Sequence, residues 1–210
     1  IHFLAIGDTN PTLGETADLL SHVLAPPPEF VVHVGDVQYY ATIVESWRSW
    51  FRLMEPLLET APMYPVAGNH EVEIPGEFDD YFARFWDAPG QDGDILHYHY
   101  ETGGVHFFGL TTEESLADTA EQVAWLEGRL AEVEVEAGYR FSIVYFHHPI
   151  YTLSSHAPDM AFRAQIEPVL IAHGVPLVFQ GHNHVYERFV VGDVTYVTTG
   201  GGGAALYDLD

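Results

Sequence analysis

FVVHVGDVQY, residues 30–39, carries the pattern from which the architecture can be read. Phe30 to Val34 is a short apolar run rich in β-branched residues, suited to a strand buried on both faces, and it breaks at once into Gly35 and Asp36. The same form recurs on either side, in HFLAIGD (2–8), MYPVAGNH (63–70), FSIVYFHH (141–148) and PLVFQGHNH (176–184). Each run ends in a glycine or polar cluster.

Helical patterns separate these runs. Residues 12–25 place Leu13, Ala17, Leu20 and Leu24 at helical spacing before Pro26, Pro27 and Pro28 stop the helix, and residues 44–58 form a second pattern rich in Trp and Leu that frays at Pro56. Residues 119–137 are amphipathic and close at Gly138, and residues 159–173 close likewise at Gly174. LHYHYE (96–101) and VHFFGL (105–110) flank Thr102-Gly103-Gly104, while RFVV (188–191) and VTYVTT (194–199) flank Gly192-Asp193, so two hairpins are expected. Strands alternating with helices and joined by hairpins predict an α/β fold, a layered sandwich with a mixed sheet or pair of sheets whose ligands collect at the C-terminal ends of strands. At 210 residues and 47% hydrophobic content, residues 1–210 are read as a single domain.

Charge narrows the function classes. The chain has 31 acidic residues against seven arginines and no lysine, for a formal net charge of -24. Nucleic acid is not expected as a partner, because duplex binding rests on neutralising phosphates with basic side chains. A small phosphate anion would be repelled as well unless bound cations supply local positive charge. The apolar runs fall short of the roughly 20 residues that a spanning helix needs, so no transmembrane segment is expected. Without cysteine there are neither disulfides nor thiolate ligands. The chain opens on a strand pattern at Ile1, so any export signal is expected upstream.

Asp8, Asp36, Asn69, His147, His182 and His184 each follow an apolar run closely and are expected to project from one rim of the sheet. Oxygen and imidazole donors without sulfur suit zinc, iron or manganese. One catalytic zinc uses about three protein ligands, so this set argues for two metals roughly 3.5–4 Å apart with one bridging carboxylate. His182 and His184 share one side of an extended segment and can address neighbouring ions.

The ordered blocks GDTN (7–10), GDVQY (35–39), GNHE (68–71), HHPIY (147–151) and GHNH (181–184) resemble the calcineurin-like metallophosphoesterase superfamily over nearly the whole chain. Tyr39, three residues after Asp36, makes the resemblance strongest to the purple acid phosphatase branch. It implies an α/β/β/α sandwich with mixed β-sheets and a single metallophosphoesterase catalytic domain. It implies Fe(III) held by Asp8, Tyr39 and His184, and Zn, Fe(II) or Mn held by Asn69, His147 and His182, with Asp36 bridging. His70 would contact the phosphate or its leaving group, and His156 matches another substrate-side histidine of the family. The implied activity is hydrolysis of small phosphate monoesters through attack on phosphorus by a metal-bound hydroxide, with His70 and His156 as the catalytic histidines. An extracytoplasmic or secreted setting is also implied. Asn10 replaces the histidine that the wider superfamily carries two residues after its first aspartate, as a tyrosine-ligated site allows, whereas Ala157 departs from the second histidine of the plant enzymes.

Several other histidines read as structural. His148 adjoins His147 and, on a continuing strand, would face the opposite way, so it reads as a packing residue or as a support beside the ligands rather than a ligand. His33, His97, His99 and His106 sit in strand patterns and read as hydrogen-bonded core residues. The rival functions are phosphodiester hydrolysis at the same centre and metal binding without catalysis. An oxygen-activating di-iron protein would supply Glu-x-x-His pairs from a helix bundle, and the sequence has none.

Overall fold

The computed structural model describes residues 1–39, 43–87 and 90–207. Its five apolar runs all form strands: β1 (Phe3–Ile6), β2 (Phe30–His33), β3 (Met63–Pro65), β7 (Phe141–Tyr145) and β8 (Leu177–Gln180). Both expected hairpins are present, β5 (His97–Thr102) with β6 (Val105–Leu110) and β9 (Tyr186–Val191) with β10 (Val194–Thr199). A two-residue strand, β4 (Asp92–Gly93), pairs with β5 and is an addition to the expected set.

The strands divide into a parallel three-stranded sheet, order β1-β2-β3, and a mixed seven-stranded sheet, order β4-β5-β6-β7-β8-β10-β9. Burial follows the alternation of each strand. Phe30, Val32 and Val34 face Tyr98, Tyr100, Phe107 and Tyr145 between the sheets, and Phe30 meets Phe107 edge-to-face at 5.2 Å between centroids. Ile6, Val31 and Met63 point the other way, onto Leu20 of α1 (Glu15–Val23) and onto Trp47, Trp50 and Met54 of α2 (Ile43–Leu58). On the far side of the large sheet, Phe108, Val144 and Val178 pack against Leu126 and Leu130 of α4 (Thr119–Val133) and Ile166 and Leu170 of α5 (Met160–Ala172). The layers are therefore helix, sheet, sheet, helix.

The first helix, α1, is shorter than its apolar pattern. Residues 10–12 are spent on a turn in which the Asn10 side chain accepts the Thr12 N–H at 2.9 Å, so α1 starts only at Glu15. Asp118 and Asp159 cap the N-termini of α4 and α5 by accepting the N–H of Ala120 and Phe162. Residues 69–93, which have no clear period, contain a 3-10 turn (Asn69–Glu71), a π turn (Phe78–Phe82) and the short α3 (Ala83–Phe85). No helix among the described residues is long and apolar enough to cross a membrane.

Candidate metal centre

The C-terminal ends of β1, β2 and β3 meet those of β7 and β8 at the seam between the sheets. Three residues there hold positive φ without being glycine: Asp8 at 59°, Asp36 at 50° and His182 at 66°. Each such conformation costs about 1–3 kcal/mol, so their clustering marks a place where surrounding structure forces the backbone. The forcing contacts are visible. Asp8 N–H donates to Gly35 O at 3.1 Å, Thr9 N–H to Asp36 O at 3.1 Å, and His182 N–H to Asp8 Oδ2 at 3.1 Å.

Glycine is required where these loops touch. A Cβ on Gly35, which also has φ 91°, would lie 2.5 Å from His147 Nδ1, and one on Gly68 would lie 2.2 Å from Asp36 Oδ1. Glu71 fixes the Gly68 loop against the Asp36 loop: fully buried, its carboxylate accepts the N–H groups of Asp36 (3.0 Å), Val37 (3.0 Å) and Gly68 (2.8 Å).

The structure brings together all seven residues expected as metal ligands. Tyr39 places its hydroxyl 3.2 Å from Asp8 Oδ1, 3.1 Å from Asp36 Oδ2 and 3.0 Å from His184 Nε2. On the other side of Asp36, His147 Nε2 lies 3.3 Å from Asp36 Oδ1 and 3.2 Å from Asn69 Oδ1. The His182 ring sits edge-on to His147 at 5.1 Å. Donor atoms of Asp8, Asp36 and His147 fall within 4.8 Å of one another. Asp36 thus stands between the two groups.

Outer contacts set the ring nitrogens. His147 Nδ1 is 2.8 Å from Val34 O and His184 Nδ1 is 2.8 Å from Ala205 O, so each donates there and turns Nε2 toward the centre.

Burial and neighbouring charge set the protonation of the cluster. Burial raises Asp8 well above the usual carboxylate range. Burial also opposes ionisation of Asp36, but His147 and His70 outweigh it and hold Asp36 low. For His147, burial is overcome by Asp36 and Asp8, and its pKa rises to about 10. Burial, then Asp8 and Asp36, push the Tyr39 phenol far up. Burial lowers His182 to about 2 and lowers His184 too, keeping both neutral and able to ligate. Two buried carboxylates, a phenol and neutral imidazoles converging on one place form a donor set that fits hard or borderline cations.

A cleft of about 260 Å³ opens over this centre, lined by Asp36, Asn69, His70, Glu73, His156, His182, His184 and Tyr207. Both expected substrate-side histidines therefore lie at its mouth. His70 packs on Tyr39 at 4.2 Å between centroids and pairs through Nδ1 with Glu73 at 2.7 Å. His156 packs on His182 at 4.3 Å.

Several participants were invisible to sequence reasoning. Tyr207 stacks on His184 at 4.2 Å and comes from the segment after β10, where no motif points to it. His148 has the supporting role expected of it, but on the same side as the centre rather than on the opposite face. β7 stops at Tyr145, and the His148 ring stacks on His182 at 4.3 Å while Nε2 pairs with Glu113 at 2.9 Å. His99 and His106 form the expected structural hydrogen bond, at 2.9 Å, and His33 bonds Thr9 Oγ1 at 3.1 Å. His97 departs from that reading, since its Nδ1 is buried without a hydrogen-bond partner among the described residues.

Comparison with known proteins gives consistent results. The model of the calcineurin-like phosphoesterase family matches residues 1–186. Purple acid phosphatase 18 of Arabidopsis thaliana is 33% identical over 199 residues, which cover 90% of this chain and 44% of the relative. Purple acid phosphatase 15 of the same plant is 29% identical over 213 residues, covering 87% and 40%. The chain spans less than half the length of these relatives. Among solved structures, purple acid phosphatase PPD1 from yellow lupin (Lupinus luteus) seeds superposes with a TM-score of 0.82 at 20% identity, over 100% of this chain and 45% of that one, a likeness of fold.

Proposed function

The chain belongs to the calcineurin-like phosphoesterase family, and from that premise we propose that it is a binuclear metal-dependent hydrolase of small phosphate monoesters, resembling the purple acid phosphatases. Residues 1–210 make up its single catalytic domain in this reading. Tyr39 is the observation that carries it: a buried hydroxyl within 3.2 Å of two carboxylates and an imidazole suits a phenolate ligand far better than packing, which a phenylalanine would serve.

Asp8, Tyr39 and His184 would hold the first ion, Fe(III), and Asn69, His147 and His182 the second, Zn, Fe(II) or Mn, with Asp36 shared. When bound, such ions acidify water and offset the charge of the phosphoryl group. His70 and His156 approach the cleft from opposite loops, one beside Asn69 and the other over His182, and either can donate a proton or hydrogen bond to the departing oxygen. The cleft of about 260 Å³ suits the phosphate end of a small ester, whose charge the bound ions would offset in this strongly acidic protein. We extend the reading to an extracytoplasmic or secreted setting on the resemblance alone.

Elemental analysis with a visible spectrum, followed by turnover of para-nitrophenyl phosphate and of its bis ester, tests the proposal. Two ions per chain, a broad visible absorption and preference for the monoester are expected. Faster turnover of the bis ester would replace monoesterase by diesterase, and bound metal without turnover of either would leave a metal-binding protein.

A further inference from the structure

His156 lies on a segment without regular structure, residues 152–156, and its place over the cleft has to be set by something other than a strand or helix. Two buried side chains supply the constraint. Asn183, fully buried, accepts the His156 N–H at 3.0 Å, and its amide NH2 donates to the His156 carbonyl at 3.0 Å and to Thr152 Oγ1 at 2.9 Å. Glu187, also buried, accepts the Leu153 N–H at 2.8 Å and the Thr152 hydroxyl at 2.6 Å, while Thr152 Oγ1 accepts the Ser154 N–H at 3.0 Å. We propose that Asn183 is a positioning residue which, braced through Thr152 and Glu187, registers His156 to the metal ligands on either side of it in sequence.

The chemistry singles out an amide. Asparagine carries a donor and an acceptor in one plane, so it satisfies both backbone groups of a single residue. Valine would take both partners from the His156 N–H and carbonyl and free the segment from the ligand loop, and aspartate would set a carboxylate against that carbonyl. Because Asn183 sits between His182 and His184, any shift of the ligand segment carries His156 with it. The ring of His156 is held in this way against His182, with Nε2 3.4 Å from the Tyr207 hydroxyl. The catalytic consequence rests on the phosphoesterase reading above, whereas the brace itself does not.

Two measurements on the purified protein test this. In hydrogen exchange, Asn183→Val and Thr152→Val are each expected to speed exchange in residues 152–156 roughly tenfold or more while residues 141–147 stay protected. In turnover, Asn183→Val with both ions retained is expected to slow an alkyl phosphate, whose leaving oxygen needs protonation, roughly tenfold more than para-nitrophenyl phosphate. Combined with His156→Ala it should add no further loss. Wild-type exchange in 152–156 in both folded variants overturns the brace, and an effect that multiplies that of His156→Ala overturns the catalytic role. If Asn183→Val does not fold, Thr152→Val, which alters no neighbour of a ligand, decides both points. A wild-type protein that hydrolyses neither ester defeats the phosphoesterase reading, and the exchange result then still decides the brace.

Discussion

Tyr39 is kept as a phenol by burial and by the two carboxylates at its hydroxyl. A trivalent cation at the same atom reverses that preference, because it stabilises the anion. Tyr39→Phe is therefore expected to retain the fold and lose the visible absorption, together with most of the iron, as elemental analysis and a spectrum would record. Glu71 invites a different test. Glutamine in its place offers one acceptor oxygen to three amide donors and turns an NH2 toward others, which is expected to cost about 1–3 kcal/mol in urea unfolding. The contrast explains what was legible at this scale. Six of the seven expected ligands could be read because each closely follows a strand, whereas Tyr39 was read from the resemblance of GDVQY to a known motif. Glu71, Asn183 and Glu187 work on backbone groups that are distant in sequence or in unpatterned loops, and such partnerships leave no spacing to detect. His148 packs beside the ligands as expected, and only the side on which it lies was missed: alternation holds only while a strand continues, and β7 ends at Tyr145.

Elements place the site through their ends. The strands were readable because burial on both faces demands unbroken apolar runs, and the hairpins because Gly103-Gly104 and Gly192-Asp193 punctuate them. Residues 69–93 were not, since a 3-10 turn followed by a π turn has no period that a sequence can display. The strand-end loops approach so closely that side-chain volume is excluded from them. Gly68→Ala is expected to displace Asp36, lowering stability by about 1–3 kcal/mol and reducing the second ion in particular, as paired unfolding and metal measurements would show. Removing the Asp159 cap with Asp159→Ala should cost α5 about 1 kcal/mol in thermal unfolding and leave metal content untouched.

For the whole molecule, His33 ties stability to pH. Burial lowers its pKa from 6.5 to about 3, and its Nδ1 has no hydrogen-bond partner among the described residues. As pH falls, the unfolded chain takes up this proton first. The contribution of His33 is thus complete above about pH 6.5 and drains away between 6.5 and 3, reaching a loss of about 2 kcal/mol by pH 5. Comparing unfolding free energies at pH 7 and pH 5 in the wild type and in His33→Gln should show the variant less sensitive by that amount. The seam between the sheets has a wider effect. Carboxylate, phenol and amide donors come from the three-stranded sheet, imidazoles from the seven-stranded one, and they run from residue 8 to residue 184. Ions held as proposed would be gripped from both sides and would act as cross-links that form only after most of the polypeptide has folded. A chelator should consequently loosen one half of the protein from the other, and a nicked or truncated chain should betray itself by failing to retain cations.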